Sequence, residues 1–221
     1  MDAADLSPER YARVLADLSR INALTLAARP TLGFLDRVRA RGGAARAWRI
    51  LDVGFGSGDM LGRIARWGAA RGVALDLVGV DLNPKSAAVA AARLGDRAKL
   101  VTGDYRDLAG QEWDIVLSSL VTHHMTAAER HEFLRFMDGK SARGWLVNDL
   151  HRHRLPFAGY PLLATLALVD PIVRRDGQLS VGRSFRPHEW RAMLADALPY
   201  SAGACRIFRS FPWRLCVERV R

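Results

Sequence analysis

Leu51-Asp52-Val53-Gly54-Phe55-Gly56-Ser57-Gly58-Asp59 decides how this chain folds. An apolar run from Trp48 to Val53 leads into it, and a helical pattern from Met60 to Arg71 leads out. Three alternating glycines at a strand-to-helix turn let the backbone approach a ligand with no Cβ in the way, and they admit positive φ. The helix that follows points its free N–H groups at the same spot. The stretch therefore predicts the floor of a small-molecule cofactor site. A dinucleotide turn has the form G-x-G-x-x-G, with the third glycine allowing close packing of helix on strand. That position is Asp59 here, which weakens the dinucleotide reading and leaves a G-x-G-x-G turn preceded by Asp52.

Downstream of this turn, strands and helices alternate, the pattern of a parallel sheet covered on both faces. Strands are predicted at Trp48–Val53, Leu75–Asp81, 98–102, 114–118 and 144–149. Helices are predicted at Asp59–Arg71, at Pro84–Leu94 with Asn83 as its cap, and over 126–137, where Thr126-Ala127-Ala128-Glu129 fits a capping box. A helix over 186–198 and two closing strands, 204–208 and 213–220, complete the α/β pattern. Phe211-Pro212 makes a tight connection between the last two strands, so they should run antiparallel.

Upstream, residues 1–47 are predicted to form an N-terminal helical cap, with 48–221 as the main domain. Ser7-Pro8 is a helix start, and Tyr11, Val14, Leu15, Leu18 and Ile21 recur at helical spacing. Pro30 is expected to end this helix, and a second, 32–39, to stop at Gly42-Gly43. Such a cap can fold over a cofactor as a lid. Asn22 near its end would then face the substrate, or would simply be a polar helix end.

Residues 150–182 depart from the alternation. Within them 155–173 is apolar, with prolines at 156, 161 and 171, one charge at Asp170, and Arg152, Arg154, Arg174 and Arg175 on its flanks. It is too short and too interrupted for a membrane span. Three readings remain open: a lid over a hydrophobic substrate, a surface-lying peripheral membrane contact, or a plain packed insert.

The 221 residues carry 30 arginines but three lysines, and a net charge of +10. A basic chain can bind nucleic acid or an anionic surface. The arginines are spread along the chain without a block of five or six, which fits a solvated basic surface. Cys205 and Cys216 have no metal-type spacing, and no metal site is predicted. The acidic start, Met1-Asp2-Ala3-Ala4-Asp5, lacks an export signal, so reduced thiols and a cytoplasmic location are expected.

Four pieces together resemble a class I S-adenosylmethionine-dependent methyltransferase. They are Leu51–Gly58, Gly79-Val80-Asp81-Leu82-Asn83-Pro84, Gly103-Asp104-Tyr105, and Asp114-Ile115-Val116-Leu117-Ser118-Ser119-Leu120. They span roughly residues 48–150, in this family's order and at its intervals. The resemblance implies a Rossmann-like seven-stranded sheet of order 3-2-1-4-5-7-6 with strand seven antiparallel, and S-adenosylmethionine as cofactor. It implies that Asp52 lies near the sulfonium and ammonium end, with Gly54, Gly56, Gly58 and Ser118 in the same set. Asp81 would accept hydrogen bonds from the ribose hydroxyls. Asp104 would accept from the adenine amino group, with Tyr105 or Leu82 against the ring.

Methyl transfer needs both reactants held in near-attack geometry with water excluded, and a base only where the acceptor must lose a proton. Val121-Thr122-His123-His124, past strand four, lies where open sheets bind ligands, and supplies His124 and His123 as candidates. Asn148-Asp149-Leu150-His151-Arg152 ends strand five and adds His151 as a third base, with Arg152 to orient an anionic group of the substrate. The histidine pair is similar to that of small-molecule methyltransferases, including the quinone and polyketide-tailoring groups. The expected acceptor is a phenol, quinol or polyketide-like aromatic. A nucleic-acid methyltransferase is disfavoured, because Ser118-Ser119-Leu120-Val121 stands where an Asn/Asp-Pro-Pro-aromatic element would be. A catalytically idle cofactor-binding subunit is the third alternative.

Overall fold

A computed structural model describes residues 6–42 and 46–221. Two helices, α1 (Pro8–Leu24) and α2 (Arg29–Ala40), precede the sheet. Strand and helix then alternate: β1 (Trp48–Val53), α3 (Asp59–Arg71), β2 (Leu75–Asp81), α4 (Pro84–Leu94), β3 (Lys99–Thr102), β4 (Trp113–Ser119), α5 (Ala127–Lys140) and β5 (Ser141–Leu150). The insert is two helices, α6 (Arg154–Leu166) and α7 (Pro171–Arg183). Helix α8 (Pro187–Ala197) and the hairpin β6 (Arg206–Ser210) and β7 (Arg214–Val220) close the chain.

The seven strands lie in the order β3-β2-β1-β4-β5-β7-β6, as expected. β1, β2, β3, β4 and β5 pair in parallel, while β7 runs antiparallel to both β5 and β6. This reversal has a positional consequence. The parallel strands bring their carboxyl ends to one edge, where such sheets bind ligands. β7 brings its first residue there instead, so Arg214 pairs with Leu150 at the end of β5.

Strand alternation divides the core into two layers. Leu51, Val53, Val80, Val116 and Val147 face α5 and α8, where they meet Phe133, Leu134 and Trp190. Ile50, Leu77, Ile115 and Leu146 face the other way, toward Phe34, Leu35 and Val38 of α2 and Leu61, Ile64 and Trp67 of α3. A third, smaller cluster joins Val14 and Ile21 of α1 to Val173 of α7, with Leu18, Tyr160 and Leu163 packed against it. Burying each of these aliphatic side chains contributes roughly 1.5–3 kcal/mol, so the cap is held by its own apolar stripe rather than by helix propensity.

Polar ties fix where α1 lies. Tyr11 Oη meets Ser86 Oγ at 2.9 Å, Ser19 Oγ meets Ser57 Oγ at 2.7 Å, and the Asp170 amide donates to Asp17 Oδ2 at 2.8 Å. Several arginines are likewise structural. Arg46 forks onto Asp114 at 2.8 and 3.0 Å, and Arg219 holds Asp138 at 2.6 and 2.8 Å.

Two expectations about the cap need correcting or lie out of view. Pro30 does not end α1. It stands in the first turn of α2, where its missing N–H is no loss. Gly43 of the expected Gly42-Gly43 stop lies outside the described residues. Among the described residues, no helix is long and apolar enough to cross a membrane, and no cluster of His, Cys, Asp and Glu is arranged to hold a metal ion.

Candidate active site

Each of the three glycines in the turn is left-handed: φ is +79° at Gly54, +51° at Gly56 and +70° at Gly58. A Cβ on Gly54 would overlap Val121 Cγ2, and one on Gly58 would come within 2.8 Å of Leu94 Cδ1. The turn is therefore pressed against the loop after β4 on one side and α4 on the other. The Gly56 amide donates to Asp81 Oδ2 at 2.8 Å, and the Asn83 amide to Asp81 Oδ1 at 2.9 Å. These two bonds lock the Asp81 carboxylate at the mouth of the turn, with lone pairs left over.

A cavity of about 490 Å³ lies over the turn. Asp52, Gly54, Gly56, Asp81, Leu82, Asp104 and Tyr105 line it, and so do Asn22 and His124. Asp52 is 2% exposed, and its Oδ1 has no hydrogen-bond partner. Burial, and then the neighbouring Asp81 charge, push its pKa up to about 7. Asp104 accepts from the Arg106 amide and from Arg106 Nη1, both at 2.9 Å, and Arg106 also reaches Glu132. The Tyr105 ring is wedged edge-on against Phe133 and Phe136, at 4.8 and 4.9 Å.

Two expected residues stand back from this cavity. Gly58 does not line it: the glycine is required by its φ and by its packing on Leu94 and Ala90. Ser118 is fully buried in β4, and the next residue, Ser119, is the one that reaches the lining.

A second cavity of about 370 Å³ adjoins the first, sharing Leu18, Asn22, Leu120, His124 and Arg214. The insert roofs it with Leu155, Gly159, Leu163 and Val181, beside Tyr160 and Asp176. The Tyr160 ring packs directly onto α7 because residue 177 is glycine, where any Cβ would overlap it.

His123 lines the second cavity and is backed by Asp149. Its Nδ1 lies 2.7 Å from Asp149 Oδ1. Asp149 also accepts from Thr122 Oγ1 at 2.5 Å, from the Leu150 amide at 2.8 Å and from the His123 amide at 3.2 Å. Burial works to raise the Asp149 pKa, but His123 and these donors hold it below the usual carboxylate range. A carboxylate cannot donate, so Nδ1 carries a proton, and in the neutral ring Nε2 is then an acceptor. That Nε2 is buried without a partner. His124 lies against His123, with ring centroids 4.1 Å apart, and burial followed by His123 lowers its pKa, so it is neutral near pH 7.

The structure does not bring the remaining two expected residues to either cavity. His151 bridges to Phe185, and its amide donates to the Trp213 carbonyl, which turns it toward His153, 5.8 Å away. Arg152 is ion-paired with Glu189 at the start of α8. Sequence reasoning in turn missed Asp149 as the partner of His123, and Arg214 altogether. Nothing local marks Arg214 among 30 arginines.

Residues 50–138 match a family model described as a methyltransferase domain. No curated protein matches the chain. Among solved structures, the plantazolicin methyltransferase BamL, in complex with a triazolic desmethyl analogue and SAH, is 14% identical with a TM-score of 0.70, covering 96% of this chain and 88% of its own. Magnesium protoporphyrin IX methyltransferase (ChlM) from Synechocystis PCC 6803, with bound SAM, is 15% identical with a TM-score of 0.57, covering 99% of each chain. The CMeT domain of the citrinin polyketide synthase is 14% identical with a TM-score of 0.61, covering 87% of this chain and 52% of its own. At these identities the likeness is one of fold. Residues 50–138 thus match a methyltransferase domain, and the seven-stranded fold that holds them is shared with the solved structures named above.

Proposed function

We propose that the larger cavity takes S-adenosylmethionine and the smaller one a hydrophobic acceptor, a phenol, quinol or polyketide-like aromatic. The observation that carries this reading is the junction of the two cavities. They meet at Leu18, Asn22, Leu120, His124 and Arg214, beside a buried imidazole nitrogen that has no partner.

The residues fit the cofactor. Asp52 Oδ1 is a buried acceptor lacking a donor, suited to the cationic end of the ligand. Gly56 leaves open a space that a side chain would fill, since a Cβ there would meet only Leu15 Cδ2, at 4.0 Å. Asp81, locked by two amides, offers its remaining lone pairs to the ribose hydroxyls, while Asp104, Tyr105 and Leu82 line the adenine end. When bound, the cofactor would supply an electrophilic methyl on a sulfonium, so that an acceptor lone pair could bond to the methyl carbon as the C–S electron pair leaves with the neutral sulfide.

The chain's own residues do the rest. His123 Nε2 takes the hydroxyl proton of the acceptor, and the O–H electron pair stays on oxygen. Asp149 holds the ring in the tautomer that leaves Nε2 free and stabilises the imidazolium that forms. His124, neutral and shared by both cavities, contacts the acceptor at the junction. Helices α1, α6 and α7 exclude water, which strengthens every polar contact inside.

Calorimetric titration with S-adenosylhomocysteine, followed by transfer of labelled methyl from the cofactor to a phenolic panel, tests the proposal. Micromolar binding and label in at least one apolar phenol are expected. Absence of cofactor binding refutes the first half, and binding without transfer to any acceptor on the panel refutes the second.

A further inference from the structure

Arg214 opens β7, and its guanidinium reaches the junction of the two cavities. The residue is 3% exposed. Its Nη2 donates to Asn22 Oδ1 at 3.1 Å, whereas Nη1 is shut from solvent without a hydrogen-bond partner. Asp149 is the carboxylate that acts most strongly on it. The oxygens of Asp149, however, already accept from Thr122, from His123 twice, and from Leu150. A buried cation with a vacant donor is costly unless something anionic completes it. Apolar and aromatic side chains make up most of the smaller cavity's wall, among them Leu18, Leu120, Leu155, Leu163, Trp213 and Tyr160, and His123, His124 and Asp176 line it too.

We propose that Arg214 is an anion receptor for the acceptor. The substrate sits in the smaller cavity as an apolar monoanion, a carboxylate or an acidic hydroxyl, with its oxygen on Nη1. Asn22 holds the guanidinium in place from the end of α1, so the receptor is complete only when the cap is closed. This inference rests on the assignment of the two cavities to cofactor and acceptor.

The cofactor's own carboxylate is the other source of an oxyanion. Position favours the acceptor. Asp52, the orphaned carboxylate suited to the cationic end of the cofactor, is in β1, and β4 and β5 both stand between β1 and β7. Arg214 therefore belongs to the side of the edge that the insert roofs. The cavity also holds Asp176, from α7, which disfavours a second negative charge on the ligand.

The test uses the full chain saturated with S-adenosylhomocysteine. Benzoate, 2-naphthoate and octanoate are each titrated against their neutral methyl esters. At least one acid is expected to bind at least tenfold more tightly than its ester. Arg214→Met is expected to abolish that preference, while S-adenosylhomocysteine affinity stays within twofold. Arg214→Lys is expected to keep part of it. If no acid is preferred over its ester in the wild-type protein, the proposal is overturned without recourse to any variant. If Arg214→Met instead weakens S-adenosylhomocysteine and leaves the acid preference intact, the anion is the cofactor's, and the proposal fails. Lack of S-adenosylhomocysteine binding by the wild-type protein would be a different failure, that of the cavity assignment itself.

Discussion

Asp81→Asn tests the cofactor cavity most directly. The carboxylate accepts from the Gly56 and Asn83 amides, one on each oxygen, at 2.8 and 2.9 Å. An asparagine keeps one of these acceptors and turns an NH₂ toward the other amide. It also loses the charge and half of the lone pairs that the ribose hydroxyls need. Each hydrogen bond to a charged group contributes about 1.5–3 kcal/mol, so losing two costs about 3–6 kcal/mol. Asp81 is half-buried, so solvent moderates the effect and the lower end of that range applies, about a hundredfold in Kd. Calorimetry with S-adenosylhomocysteine measures it, and circular dichroism confirms the fold. Repeating the titration with 5′-methylthioadenosine and its 2′-deoxy counterpart gives a double-mutant cycle. Removing the hydroxyl should weaken binding to the wild type by about tenfold, and to the variant far less, because the partner is already gone. A folded variant with Kd within twofold of wild type refutes the ribose role. An equal deoxy penalty in both proteins refutes it independently.

Asp52 carries a pH signature. Its pKa rises from 3.8 to about 7 on folding, so between those values the folded chain keeps a proton that the unfolded chain releases. Stability from this group therefore falls as pH climbs from about 4 to about 7 and levels off above. Asp52→Asn should flatten that slope in urea titrations at pH 5 and pH 8, and an unchanged slope would contradict it. Binding of the cationic cofactor at pH 6 should release a proton, seen as a buffer-dependent heat, in the wild type but not in Asp52→Asn. Gly54→Ala meets both a left-handed backbone, costing about 1–2 kcal/mol, and the Val121 methyl. It should abolish S-adenosylhomocysteine binding, and pairing it with Val121→Ala should restore part of that binding, whereas no rescue would point to another cause. With a phenolic acceptor in hand, His123→Ala should lower kcat by about 10²–10⁴ while leaving cofactor affinity unchanged. Asp149→Asn should follow it closely and His124→Ala fall well short. A larger loss at His124 would move the base to that residue.

The parts legible in the sequence were those whose physics is local. The glycine turn, the strand-end aspartates Asp52, Asp81 and Asp104, and the Thr126 capping box each announce themselves within a few residues. The strand order followed from the family resemblance. The catalytic edge was only half legible. His123 and His124 were singled out, but nothing nearby says that Asp149, 26 residues on, is the partner that selects one ring nitrogen. His151 looked equivalent to them, lying just past β5, yet its bridge to Phe185 and its amide bond to Trp213 turn it away. Arg152 looked like an anion clamp and is spent on Glu189, while Arg214 takes the cavity position. That exchange was invisible because it depends on the antiparallel return of β7, which carries a residue 62 positions away to the same edge.

Helix α1 touches both cavities: Leu18 and Asn22 belong to each, and Ser19 is tied to Ser57 of the glycine turn. On the cavity assignment proposed above, a swing of that helix would unseal donor and acceptor chambers together. Product egress and cofactor exchange would then be one kinetic event. The residence time of the spent cofactor would then depend on everything that holds α1 down, its apolar stripe against α7 as well as the Tyr11–Ser86, Ser19–Ser57 and Asp17–Asp170 contacts.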